Sequence, residues 1–228
     1  MTVLELSNNG WRSNGTPATL TVRTRRVYDL LAGVYPLSTL LFHSLAHRCA
    51  VEEAGIREGM QVLEVATGSG EMLRRLVRAN RSGSTVGIDL SPNMASRAQR
   101  KARREFPACS AYCQAVDARH MPFRDESFDL IMCCYLLELL GSEDIVRTVN
   151  EFHRVLRAGG RLVLVLIGQN TAVFNRAYKV AGALAPAFWG RQVADNVPGV
   201  IEAGRFRIVR DRMVRQGFYP SRVLVAHK

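Results

Sequence analysis

Residues 62–70, Val62-Leu63-Glu64-Val65-Ala66-Thr67-Gly68-Ser69-Gly70, constrain the fold more than any other stretch of this chain. An apolar, β-prone run carries one acid and ends in two glycines one residue apart. A helix-forming segment, Glu71-Met72-Leu73-Arg74-Arg75-Leu76-Val77, follows at once. Strand, glycine turn and helix in that order are how an open α/β sheet forms a nucleotide-sized cleft at the carboxyl end of its first strand. A residue without Cβ lets the backbone turn sharply and lets a ligand lie against it. The helix that follows points its free N–H groups and positive dipole end at that ligand. Taken alone, the glycine pair is equally compatible with a plain tight turn.

The next segment narrows the choice. Ser84-Thr85-Val86-Gly87-Ile88-Asp89 reads as a second short strand ending in a carboxylate, and Leu90-Ser91-Pro92-Asn93-Met94 opens a helix with Ser91 as N-cap and Pro92 at the first helical position. An acid roughly 20 residues beyond a glycine turn, at the end of the next strand, can accept hydrogen bonds from both hydroxyls of a ribose. Dinucleotide dehydrogenases share that device, but their fingerprint has a third glycine where this chain has Leu73. The pattern therefore suits adenosine with one small charged tail better than a pyrophosphate.

At 228 residues the chain is long enough for one generous α/β core. It has no apolar run of the ~18 residues that span a bilayer, and its first ten residues lack the basic and apolar regions of a signal peptide. Cys49, Cys109, Cys113, Cys133 and Cys134 are odd in number and irregularly spaced, which points to a reducing, cytoplasmic setting rather than a disulfide framework. Cys109 and Cys113 have no second pair at finger-like spacing, so no metal site is expected.

Residues 1–20 are polar and read as a flexible N-terminus, with one domain over 21–228. Arg25 to Leu31 and Leu37 to Glu53 read as helices, forming a cap over 25–53, since Leu40, Leu41, Ser44, Leu45 and Cys49 recur at helical spacing. Strands and helices alternate from Gln61 to Ile167, the signature of a parallel sheet with crossover helices. Gly159-Gly160 reads as a helix end with a tight entry to the fifth strand. Residues 168–200 break the alternation and contain an apolar helix around Val173 to Leu184. Phe206 to Val214 and Arg222 to Ala226 read as strands joined through Gly217-Phe218-Tyr219-Pro220-Ser221.

Glu64 to Gly70 and Val86 to Met94 resemble the first and second motifs of class I S-adenosylmethionine-dependent methyltransferases. Ala115-Val116-Asp117-Ala118, Met121-Pro122-Phe123 and Ser127-Phe128-Asp129-Leu130-Ile131 resemble the third and fourth, and Glu151 to Leu164 the helix and strand that follow. The A-T-G-x-G form of the first motif is similar to that of the ubiquinone/menaquinone C-methyltransferase branch. The resemblance covers about residues 25 to 167. It implies a doubly wound, Rossmann-like, mostly parallel seven-stranded sheet with an antiparallel C-terminal hairpin strand, and a helical substrate lid over residues 168–200.

It also implies roles. The backbone of Ala66, Thr67, Gly68 and Gly70 would wall the methionine part of S-adenosylmethionine, with Glu64 near its ammonium. Asp89 would hold the ribose, Leu90 and Met94 the adenine face, Asp117 and Ala118 the adenine edge, and Cys133 and Cys134 the space below the sulfonium. Tyr28, in Tyr28-Asp29-Leu30-Leu31, resembles an element that folds over the cofactor in the same branch. Met94 is equally at home in a core, Asp117 as a loop cap, and Tyr28 within an amphipathic helix.

Methyl transfer from a sulfonium is an in-line displacement that positioning alone can accelerate strongly, and a base is needed only where the acceptor must lose a proton. His43, His120, Tyr135 and Glu138 could serve, and none is singled out as catalytic. The net charge of +11 raises nucleic acid as a partner. Its densest cluster, Arg97 to Arg104, belongs to an outer helix, and Cys133-Cys134-Tyr135-Leu136 lacks the prolines that grip a flipped base, so nucleic acid is disfavoured. Apolar residues such as Val173, Phe174 and Trp189 interleaved with Arg176, Lys179 and Arg191 suit a lipid-like acceptor and contact with a membrane surface. The expected function is methyl transfer to a small apolar or lipid-like acceptor, such as a quinone. A phospholipid N-methyltransferase and a non-catalytic S-adenosylmethionine-binding protein are the alternatives.

Overall fold

Strands β1 (Gln61–Val65), β4 (Phe128–Cys134) and the distal half of β5 (Leu156–Ile167) are buried on both faces and mostly apolar, as strands covered by helices on each side must be. The computed structural model describes residues 43–169, 193–217 and 219–228. The expected loose N-terminus, the helix from Arg25, Tyr28 and the apolar helix around Val173 lie outside these residues. The remaining strands are β2 (Ser84–Asp89), β3 (Ser110–Ala115), β6 (Arg207–Gln216) and β7 (Tyr219–His227). All seven form one sheet in the order β3-β2-β1-β4-β5-β7-β6. β3, β2, β1, β4 and β5 pair in parallel, while β7 runs antiparallel to both β5 and β6. From β1 the chain winds one way through β2 and β3, then crosses back to β4, so the order reverses between β1 and β4, where open α/β sheets form their ligand crevice.

Period-two alternation sends neighbouring strand residues to opposite layers. Leu63, Val65, Ile131, Cys133 and Leu164 join the layer of α4 (Ser142–Val155) and α5 (Val197–Ala203), through Phe152, Val149 and Ile201. Val62, Leu130, Met132, Val163 and Val223 face α1 (Ser44–Ala54) and α2 (Glu71–Ala79), through Ala46, Ala50, Met72 and Leu76. The described cap helix thus begins at Ser44, with His43 as its N-cap residue.

α3 (Pro92–Glu105) starts as its sequence requires, with the Ser91 hydroxyl accepting from the Met94 N–H at 3.3 Å and Pro92 in the first turn. Its inner face is Ala95, Ala98 and Ala102, small enough for α2 to approach closely. Gly70 makes that approach possible. It begins α2 at φ 84°, and a Cβ there would lie 3.0 Å from both Cα and Cβ of Ala98. Gly70→Ala should therefore lower unfolding stability by about 1–3 kcal/mol from left-handed backbone strain, with the contact adding to it. An unchanged urea midpoint would remove this packing role.

Two sequence expectations need correction. α4 ends at Val155 and β5 begins at Leu156, so Gly159 and Gly160 lie inside the strand, where its pairing with β4 jumps from Leu156 to Arg161, with Gly159 at φ 71°. The hairpin is tighter than expected, because Tyr219-Pro220-Ser221 belongs to β7 and not to the connection. A proline is tolerated there because Pro220 lies one residue past the last β5 pair, Ile167 with Ser221. The edge strand β6 is largely exposed and carries Arg207, Arg210, Arg212 and Arg215, the kind of charge that discourages edge-to-edge pairing.

Candidate active site

The carboxyl ends of β1, β2, β3 and β4 surround one cleft. Its lining includes Glu64, Ala66, Thr67, Gly68 and Ser69 after β1, Asp89 and Leu90 after β2, Asp117 to Arg119 after β3, and Cys134 to Leu136 after β4. Leu139, Leu140, Gly141 and Asp144 close one side, and His43 and His47 of α1 reach in from another. Most of the residues expected to bind the cofactor are thus brought together. Gly70, Met94 and Cys133 are not in the lining. Met94 and Cys133 are each 1% exposed, Cys133 in the main core, and Gly70 faces α3. All three support the cleft from behind.

Asp89 fastens the turn. Its Oδ2 accepts from the Gly68 N–H at 2.7 Å, and its Oδ1 from the Ser91 N–H at 2.9 Å. One carboxylate therefore fixes the glycine turn of β1 relative to the start of α3. Thr67 adds a second tie, its N–H donating to the Ile88 carbonyl at 3.0 Å. Ala66 and Tyr135, which follow the two central strands, both sit in the left-handed region, at φ 62° and 55°. Such backbone conformations in non-glycine residues gather where surrounding structure fixes a functional geometry.

Glu64 is 2% exposed, and its Oε2 has no hydrogen-bond partner. Burial, reinforced by the nearby Asp89 charge, pushes its carboxyl well above the usual range, although Thr67 and the Leu73 N–H offset part of this. A buried carboxylate oxygen lacking a partner is an unmet demand for a cation or donor. Asp117 lines the cleft after β3, with its carboxylate held by a neighbour. Arg119 donates to both of its oxygens, from Nε at 3.0 and 3.1 Å and from Nη2 at 2.7 Å, and the Arg119 N–H caps Oδ1 at 2.9 Å. Arg119 also reaches Asp144 at 2.9 Å, tying the β3 loop to α4. Burial disfavours the Asp117 charge, but Arg119 outweighs it and the pKa falls below the ordinary value. Asp117 therefore caps its own loop while lining the cleft beside Ala118.

Among the groups considered as bases, His43 and Tyr135 line the cleft, whereas His120 and Glu138 do not. Glu138 is 1% exposed, accepts from the Ile167 N–H at 2.6 Å, and is pushed up to about 7 by burial. His47, Arg119, Ser69 and the pair Leu139-Leu140 are lining residues that the sequence reading did not single out. His43 and His47 are four apart on one helix, a spacing that places both on one face and could have drawn attention to His47.

A family model described as a methyltransferase domain matches residues 62–160. The ubiquinone/menaquinone biosynthesis C-methyltransferase of Methylococcus capsulatus is 29% identical over 180 residues, 75% of this chain and 71% of that one. The 2-phytyl-1,4-naphtoquinone methyltransferase of Nostoc sp. is 27% identical over 151 residues, 64% of this chain and 65% of that one. A crystal structure of a SAM-dependent methyltransferase from Aquifex aeolicus superposes with a TM-score of 0.63 at 20% identity, over 94% of this chain and 99% of that one. The structure of the [4+2]-cyclase SpnF superposes at 0.70 with 19% identity, over 90% and 96%. Likeness of fold alone therefore does not name the reaction. The matched methyltransferase-domain model instead spans the run from β1 to the glycines of β5, which holds the turns around the cleft, and over that run the chain is similar to the class I S-adenosylmethionine-dependent methyltransferases.

Proposed function

We propose that this enzyme methylates a ring carbon of a lipid-like hydroquinone. The observation that carries the reading is the composition of the cleft wall formed by Tyr135, Leu136, Leu139, Leu140 and His43, which is aromatic and aliphatic. That surface suits a planar apolar acceptor better than a charged one. The quinone methyltransferases among the relatives support the same acceptor class.

The cofactor fits the opposite side. An ammonium would satisfy the partnerless Glu64 oxygen, and ribose hydroxyls would donate to Asp89, already held in place by Gly68 and Ser91. The backbone of Ala66, Thr67 and Gly68 would wall the methionine chain, with Cys134 beneath the sulfur. Leu90 would cover one adenine face and Ala118 its edge. Bound there, S-adenosylmethionine supplies a methyl group on a good leaving group. The protein's part is to align the acceptor carbon with it and keep water out.

No helix among the described residues is long and apolar enough to cross a membrane. A long-chain acceptor would reach the cleft from a bilayer surface, so the proposal includes peripheral membrane contact of a cytoplasmic enzyme. The test is methyl transfer to a prenylated 1,4-naphthohydroquinone beside phosphatidylethanolamine vesicles, with the methylated atom located by NMR. A ring C-methyl product is expected. Methylation of the phospholipid nitrogen would replace this reading with the lipid one. Cofactor binding without transfer to either acceptor would favour a non-catalytic binding protein.

A further inference from the structure

Four rings from three parts of the chain, His43 with His47, Tyr135 and Tyr219, meet at the acceptor end of the cleft, the first three of them lining it. The His43 ring lies 4.4 Å from that of Tyr135 and 4.9 Å from that of Tyr219, centroid to centroid. His47, one helical turn on, is 6.1 Å from Tyr135 and 6.2 Å from His43. α1, the turn after β4 and the start of β7 bring these rings together.

The position of Tyr135 is over-determined. It holds φ 55°, which is uncommon for a bulky residue. Its N–H donates to the Val165 carbonyl at 2.8 Å, and its hydroxyl pairs with the Ser221 hydroxyl at 2.8 Å. A conformation this unfavourable persists only where the surroundings impose it, and here they fix an aromatic face in the cleft.

His47 adds a polar demand. It lines the cleft, is 4% exposed, and neither of its ring nitrogens has a hydrogen-bond partner. Burial lowers its pKa to about 3, with His43 and Arg75 adding repulsion, and burial lowers that of His43 to about 4. Both imidazoles are therefore neutral near pH 7, each with one acceptor nitrogen and one N–H donor. A buried neutral imidazole without partners suits a ligand that brings an O–H group and no charge.

We infer that His43, His47 and Tyr135 form a subsite for a hydroxylated aromatic ring, stacked on the His43 and Tyr135 rings with its hydroxyl hydrogen-bonded to His47. This deepens the acceptor reading above and rests on it. Leu136, Leu139 and Leu140 continue the wall and give an apolar substituent on that ring a surface to follow. The subsite prefers a hydroxyl-bearing ring over its methyl ether, because the ether has no proton to donate.

The test uses the full chain saturated with S-adenosylhomocysteine, titrated with 2-naphthol and with 2-methoxynaphthalene and followed by probe fluorescence. Wild type should bind the naphthol about tenfold more tightly, the worth of one good hydrogen bond. In His47→Leu the ratio should fall to near one. In the wild type, the imidazole nitrogen resonances of His43 and His47 should move with 2-naphthol and stay with the ether, a readout that needs no variant to fold. An undiminished ratio in a folded His47→Leu, unmoved imidazole resonances, or no saturable naphthol binding would each overturn the inference. Naphthol recognition without ring methylation of any hydroquinone would remove the quinone reading and leave the subsite standing. Ring methylation with the histidines unmoved would do the reverse.

Discussion

Asp89→Ala is expected to weaken S-adenosylhomocysteine binding by about two orders of magnitude in calorimetry. Each hydrogen bond to a charged group is worth about 1.5–3 kcal/mol, and about 1.4 kcal/mol is a factor of ten in affinity. Asp89 provides two kinds of such bond. Its oxygens already hold the Gly68 and Ser91 N–H groups at 2.7 and 2.9 Å, which sets the glycine turn against α3. In the proposed complex the same carboxylate accepts from the ribose. Alanine removes both, so the ligand loses its anchor and meets a turn no longer fixed. Asp89→Asn separates the two contributions. An amide keeps one acceptor oxygen but turns an NH2 group toward a backbone N–H, so it should bind between wild type and alanine. A folded Asp89→Ala protein that binds with wild-type affinity would exclude Asp89 from the cofactor site.

Those contacts show why this part of the molecule was legible in the sequence. The turn after β1 and the acid after β2 are fixed by local chemistry: glycine where φ is positive, serine as N-cap, proline in the first helical turn, and an acid at a strand end. Each is a property of a few adjacent residues. What the sequence concealed depends on distant partners. Arg119 and Asp144 decide that Asp117 caps its loop, through a contact 25 positions along the chain. His47 becomes a lining residue because the turn after β4, almost 90 positions away, brings Tyr135 beside it. Pro220 looked like part of a connection, and only the length of β5 shows that the lost N–H falls beyond their pairing. Gly70 reads as a ligand contact by its motif, yet its missing Cβ makes room for Ala98. A glycine's purpose depends on what stands opposite it, and that is a tertiary fact.

Glu64 provides the other large effect, in which stability and binding move in opposite directions. Because burial and Asp89 raise its folded pKa, folding favours the protonated carboxyl. The stability this group contributes is complete below its ordinary value of 4.5 and is lost as pH rises through the higher folded value. At pH 8 the ligand-free protein therefore carries a buried carboxyl that burial disfavours when charged. Glu64→Gln has nearly the same volume and does not titrate. The variant should melt several degrees higher than wild type at pH 8 without cofactor, with a smaller difference near pH 5. Binding should change the other way, because a neutral amide is a much weaker partner for an ammonium than a carboxylate. A loss of at least tenfold in affinity is expected, from one charge-assisted bond. At pH values below the folded pKa, wild type should also release a proton as the ammonium enters, visible as a calorimetric heat that depends on the buffer's ionisation enthalpy. Glu64→Gln should show no such release. Equal affinity and equal proton release in the two proteins would mean that the buried oxygen serves the fold alone, and the ammonium would then have to be held elsewhere in the cleft.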